Sequence, residues 1–103
     1  MKLVDLDPRW KADGDNPHAV LVFKCPCCQS AWLTCKFVPM KMSRQMELVE
    51  DEGKASGGNV VPTRQDFSWA RTGDDFATMS ITPSVDASAS GHWHGFITNG
   101  IIS

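Results

Sequence analysis

The chain has no apolar run longer than five residues, Ala19 to Phe23. A membrane-spanning helix needs about 20 such residues and the core of a signal peptide about 7–15. A soluble, cytoplasmic protein without a membrane partner is therefore expected. Basic charge is not in excess either: 10 Lys and Arg stand against 12 Asp and Glu, a formal net charge of −2. Nucleic-acid backbones are held by clustered cations, so DNA and RNA are not the expected partners. No repeat, low-complexity tract or interdomain linker interrupts the 103 residues, and 42% hydrophobic residues are too many for a disordered chain. One globular domain spanning 1–103 is predicted. The sequence also lacks a second cysteine pair and the His-Glu-x-x-His segment of a zinc-peptidase helix.

What is present is rich in short, β-prone segments. Met1 to Asp7 alternates apolar and polar residues and predicts a first strand, closed by Asp7-Pro8. Lys11 to Pro17 collects Gly14, Asp13, Asp15, Asn16 and Pro17 and predicts an exposed loop. His18 to Lys24 is apolar on both faces, as a buried strand is, and Trp32 to Val38 resumes the pattern, so the two form a hairpin with Cys25 to Ser30 at its tip. Met40 to Val49 carries Met42, Met46 and Val49 at helical spacing and is followed by the glycine-rich 53–59 stretch. It reads as a short helix or a flexible insertion over 40–60. Phe67 to Arg71 and Phe76 to Ile81 are predicted strands around Thr72-Gly73-Asp74-Asp75, with Thr82-Pro83-Ser84 ending the second. Val85 to Gly91 is a loop of small residues, His92 to Thr98 a strand, and Asn99-Gly100 a turn into the stub Ile101-Ile102. The fold class is all-β: a small sandwich or rolled antiparallel sheet of about seven or eight short strands, with at most one short helix.

Four cysteines lie within eleven residues, at 25, 27, 28 and 35. Such clustering suits metal ligation or redox chemistry better than disulfides that close long loops. Cys25-Pro26-Cys27-Cys28 supplies half of a tetrahedral zinc site, and the remainder is expected from Cys27 and from His18, His92 or His94. Cys35 lies about seven residues down the return strand and is expected to be a core thiol. His18, at the start of a strand after a loop, is expected at the surface.

His92 and His94 are two apart on a predicted strand and so leave one face about 7 Å apart. If one completes the metal site, the other is free for acid–base work. Ser84 follows a proline, and ten residues separate it from His94, a path short enough for the two segments to be sheet neighbours. A Ser–His pair with backbone amides nearby is a minimal nucleophilic centre, with Asp86, Asp75 and Asn99 as candidates to orient the imidazole.

Cys-Pro-x-Cys at a hairpin tip, Trp69-Ala70-Arg71-Thr72-Gly73, Ile81-Thr82-Pro83-Ser84 and Gly91-His92-Trp93-His94-Gly95-Phe96-Ile97-Thr98-Asn99-Gly100 together resemble a family of small phage and prokaryotic proteins long labelled as of unknown function. Some members sit in bacterial operons for ubiquitin-like proteins and their activating and conjugating enzymes, where the family is regarded as a zinc-containing peptidase. The resemblance implies a serine nucleophile at Ser84, a histidine base at His94, and Cys25 and Cys28 as metal ligands. Relatives often place a cysteine just before the conserved histidine. This chain offers His92 there and carries Cys27 inside the knuckle, so the expected ligand set is Cys25, Cys27, Cys28 and His92.

Three functions follow as expectations. The first is a zinc-stabilised serine hydrolase of peptidase or deconjugase type, phage-encoded or bacterial, acting on a protein or peptide such as a ubiquitin-like modifier. The second is a non-catalytic zinc-binding β module that binds a host protein through exposed Trp32, Trp69 and Trp93. The third is a hydrolase whose zinc is itself catalytic, drawing on Glu47, Glu50 or Asp51.

Overall fold

A computed structural model describes residues 1–29, 31–37, 59–61 and 68–103. The expected helix or insertion at 40–60, Glu47, Glu50 and Asp51 fall outside these residues, apart from a short strand at 59–61. The fold is all-β, with two four-stranded sheets in the orders β1-β2-β3-β4 and β5-β6-β7-β8. The first contains β1 (Arg9–Asp13), β2 (Asn16–Lys24), β3 (Ala31–Lys36) and β4 (Asn59–Val61). The second contains β5 (Ala70–Thr72), β6 (Ser80–Asp86), β7 (His94–Thr98) and β8 (Ile101–Ile102). All pairings are antiparallel except β3 with β4, which is parallel. Among the described residues no helix is long and apolar enough to cross a membrane.

Leu21, Phe23, Leu33 and Cys35 of the first sheet meet Ile81, Val85, Ile97 and Ile102 of the second in one buried cluster. The other face of β2 and β3 is buried as well, through Val20, Val22, Trp32 and Thr34, which is why these strands read as apolar throughout. Cys35 lies in the core, opposite Leu21.

Three segments differ from their sequence-based expectation. Leu3–Leu6 is a 3-10 turn and not a strand. Leu3 and Leu6 are three apart, so one turn of this helix buries both, and the Lys2 N–H donates to Asp5 Oδ2 at 3.2 Å. The expected loop at 11–17 is instead the tip of a β1–β2 hairpin: residues 11–13 and 16–17 are strand, Asp13 pairs with Asn16, and Gly14, with a φ of +59°, suits the tight connection between them. Phe76 to Met79 is a turn, because Asp75 accepts the Met79 N–H on its carbonyl (2.8 Å) and the Ala77 N–H on its carboxylate (2.8 Å). The strand begins at Ser80 and continues past Pro83 to Asp86.

A polar and aromatic clamp joins the sheets at one side. Trp10 stacks on His18 with ring centres 4.3 Å apart and on Phe76 at 5.2 Å, and the Arg71 guanidinium lies over Trp10 at 5.0 Å. Arg71 also pairs with Asp74, and His18 Nδ1 is 3.6 Å from the same carboxylate. His18 is thus partly buried in a stack, not simply a surface residue.

Candidate metal cluster and serine–histidine pair

The β2–β3 hairpin turns through Cys25-Pro26-Cys27-Cys28-Gln29. Cys25 donates its N–H to the Ala31 carbonyl (2.8 Å) and accepts the Gln29 N–H (2.7 Å), which closes the tip, and Gln29 takes a left-handed φ of 55°. Cys25 is buried, whereas Cys27 and Cys28 are exposed. The second sheet brings His92 to this tip. His92 precedes β7; its N–H donates to the Ala87 carbonyl (3.1 Å), and the Ala87 N–H donates to the Trp93 carbonyl (3.0 Å). Those bonds tie His92 to the end of β6, and its imidazole faces the thiols.

His92 Nδ1 is 3.7 Å from Cys28 Sγ and 3.8 Å from Cys27 Sγ, and Cys25 Sγ is 3.0 Å from Cys27 Sγ. All four ligand atoms lie within 4.8 Å of one another, close enough to bind one metal ion. The sulfurs are free thiols. Cys27 is pushed up to about 11, chiefly by its hydrogen bond with Cys25, then by desolvation, by the electrostatic cost of a thiolate beside the neighbouring sulfurs, and by a hydrogen bond with Cys28. In the absence of a cation the thiol keeps its proton at neutral pH; a bound cation displaces it. Burial pushes the Cys35 thiol up as well, so it stays protonated and inert.

The second constellation lies on the outer face of the other sheet. Ile81 faces Ile97 and Val85 faces Gly95, so residues 82–84 of β6 stand opposite Phe96 alone and form a wide bulge. The Thr82–Pro83 peptide is cis. Ser84 projects from this bulge, and its Oγ lies 3.1 Å from His94 Nε2. With the imidazole proton on Nδ1, the hydroxyl donates to Nε2, the arrangement of a nucleophile with its general base. β7 alternates exposed and buried from His94 to Thr98, so His94 and Phe96 share the outer face, and Phe96 is 53% exposed.

His92 and His94 therefore serve different constellations. The strand begins only at His94, and strand alternation does not govern His92. Of the candidate orienting groups, Asp86 stands opposite His94 in register. Its Oδ1 accepts the Ser88 N–H (2.9 Å) and hydroxyl (2.6 Å). Asp75 and Asn99 are committed to turns at the other end of the sheet. Trp32 and Trp69 are 1% and 2% exposed, and Trp93 is partly buried with an edge-on contact to Phe23.

Trp69, expected as an exposed binding contact, is instead a core residue, and the partner of its polar group is what sequence reasoning missed. Its indole Nε1–H donates to the Ser84 carbonyl at 3.2 Å. The only sequence signal was the general need of a buried tryptophan for an acceptor, which does not identify that acceptor. No family model, curated protein or solved structure matches the chain.

Proposed function

We propose that the protein is a zinc-stabilised serine hydrolase of the peptidase type, with Ser84 as nucleophile and His94 as general base. The observation that carries this reading is the 3.1 Å approach of Ser84 Oγ to His94 Nε2. Ser84 Oγ attacks the carbonyl carbon of an amide or ester while His94 takes its proton. His94 then returns the proton to the leaving amine or alcohol, and water releases the acyl group by the same steps reversed. Asp86 stands across the ladder from His94 and is the acidic residue nearest to it in register. Exposed Phe96 on the same face gives the acyl chain an apolar neighbour. The resemblance to peptidases of ubiquitin-like systems makes such a modifier the first substrate to try. A cluster of reduced thiols suits the cytoplasm.

Zinc is the metal that the donor set favours, three thiolates and one imidazole being soft and tetrahedral in preference. A regular site with these donors has edges of roughly 3.5–3.8 Å, which the Cys27–His92 and Cys28–His92 separations match. When bound, zinc would join the hairpin tip to the approach of β7. Four protein donors would leave no open coordination position, which favours a structural role for the ion; Glu47, Glu50 and Asp51 of the catalytic-zinc reading lie outside the described residues. A binding module using Trp32 and Trp69 is disfavoured because both are buried.

The test combines zinc analysis with fluorophosphonate labelling read by intact mass. Near one zinc per chain is expected, with an adduct on the wild type and none on Ser84→Ala at unchanged zinc content. Equal labelling of Ser84→Ala would sink the serine mechanism.

A further inference from the structure

The bulge that displays the Ser84 hydroxyl also takes Ser84 out of the regular β6–β7 pairing. Backbone groups released from a ladder must be satisfied elsewhere, and until they are, the peptide that carries them can rotate. For the Ser84 carbonyl a dedicated donor exists in the Trp69 indole N–H, 3.2 Å away. That indole is held on two sides. Trp69 is a member of the core cluster, 2% exposed, and its backbone N–H donates to the carbonyl of Lys36 at the end of β3, 2.9 Å away in the opposite sheet. Tryptophan has one side-chain donor and no acceptor, so a carbonyl is the partner its buried N–H requires.

We infer, resting on the reading of Ser84 and His94 as nucleophile and base, that Trp69 is the positioning residue of this pair. Its indole pins the Ser84 peptide within the stretch of β6 that leaves the regular pairing with β7, and the pinned peptide keeps Oγ within hydrogen-bond reach of His94 Nε2. Trp69 touches neither substrate nor the reacting atoms. It transmits the position of the first sheet, through Lys36, to the nucleophile on the second. Displacing a reacting group by about 1 Å can cost about 10²-fold in rate, so a loose Ser84 peptide abolishes most of the advantage of having the base nearby.

The experiment compares zinc-loaded wild type, Trp69→Phe, Ser84→Ala and His94→Gln. Trp69→Phe keeps an aromatic ring in the core and removes the donor. Its zinc content is expected to match the wild type, its labelling by fluorophosphonate to slow at least tenfold, and the rise of labelling rate through the imidazole titration to flatten as it does in His94→Gln. A merely structural contribution would lower thermal stability and leave that pH step in place. Labelling within twofold of wild type with an unchanged pH step would overturn the inference. Nitrogen-15 NMR of the His94 ring reads the same point without turnover: Trp69→Phe and Ser84→Ala should move the Nε2 resonance alike, and an unmoved resonance in Trp69→Phe overturns the positioning role. An unlabelled wild type with the NMR response intact would instead refute the hydrolase reading and leave the indole's role standing. If Trp69→Phe does not fold, the wild-type indole N–H decides: exchange as slow as that of core amides supports the bond, and exchange as fast as an exposed indole overturns it.

Discussion

Ser84 and His94 meet because a bulge places three residues of β6 against one of β7 and turns the serine hydroxyl toward the imidazole. An exposed serine has a pKa far above neutrality and reacts slowly unless a base takes its proton as it attacks. His94→Gln keeps a polar side chain of similar reach and removes the base. Fluorophosphonate labelling of Ser84 in this variant is expected to fall by about 10²–10⁴-fold, the usual share of general-base assistance, and mass spectrometry of timed reactions measures it. The sequence showed that a Pro-Ser and a His two residues before Phe96 could be neighbours. It did not show the indole beneath the serine, because a hydrogen bond from residue 69 to a carbonyl at 84 depends on the packing of two sheets and leaves no local pattern.

Strand β7 owes its position to one glycine. A Cβ at Gly95 would strike the Ser103 carbonyl and the Trp93 indole, so the strand between His94 and Phe96 can lie flat against β8 only without a side chain there. Gly95→Ala is expected to destabilise the fold by about 1–3 kcal/mol, the range for overpacking a tight site, and to slow Ser84 labelling as His94 shifts; denaturant unfolding and labelling check the two effects. The turn that follows was legible in sequence. Asn99 and Gly100 both have positive φ (49° and 73°), the two-residue hairpin that an Asn-Gly pair favours, and Thr98 pairs with Ile101 across it. At the N-terminus the same reasoning failed. Leu3 and Leu6 fit a strand's loose alternation and a 3-10 turn's threefold spacing equally, and packing against the core chose the latter.

At the scale of the whole molecule, the two sheets are joined at the cysteine tip and at the Trp10 clamp. Through His92 the tip reaches the chain two residues before His94, so metal at the tip and reactivity at Ser84 should be lost together. Cys28→Ser, or treatment with a chelator, is expected to lower zinc well below one per chain, reduce the melting temperature and slow Ser84 labelling, with zinc restoring the chelated wild type. Labelling that persists undiminished after metal removal would uncouple the two ends. At the clamp, the Arg71 hydrogen bond holds the Asp74 carboxyl below its ordinary 3.8, against an opposing effect of desolvation and with help from the Arg71 charge and His18. A carboxyl lowered by folding contributes stability above its unfolded value, and that contribution disappears as pH falls through the lowered one. The stability difference between wild type and Asp74→Asn should therefore be present at neutral pH, small because the pair is exposed, weaker in high salt, and should begin to shrink as pH falls below about 3.8 and vanish once pH is below the lowered folded value. Urea midpoints across pH and salt measure it.

By itself the sequence determined the fold class, the hairpin with cysteines at its tip, the buried Cys35 and the Asn-Gly turn. Each of these depends on residues adjacent in the chain: two-residue alternation, apolar runs bounded by turn formers, and a dipeptide that tolerates positive φ. Only the tertiary structure decided which face of the molecule each histidine serves, that residues 11–17 are the tip of a hairpin, and that the Trp69 indole bonds the Ser84 carbonyl. Those outcomes depend on how one sheet is set against the other. That setting is a balance of burial over the whole core, and no short segment of the sequence records it.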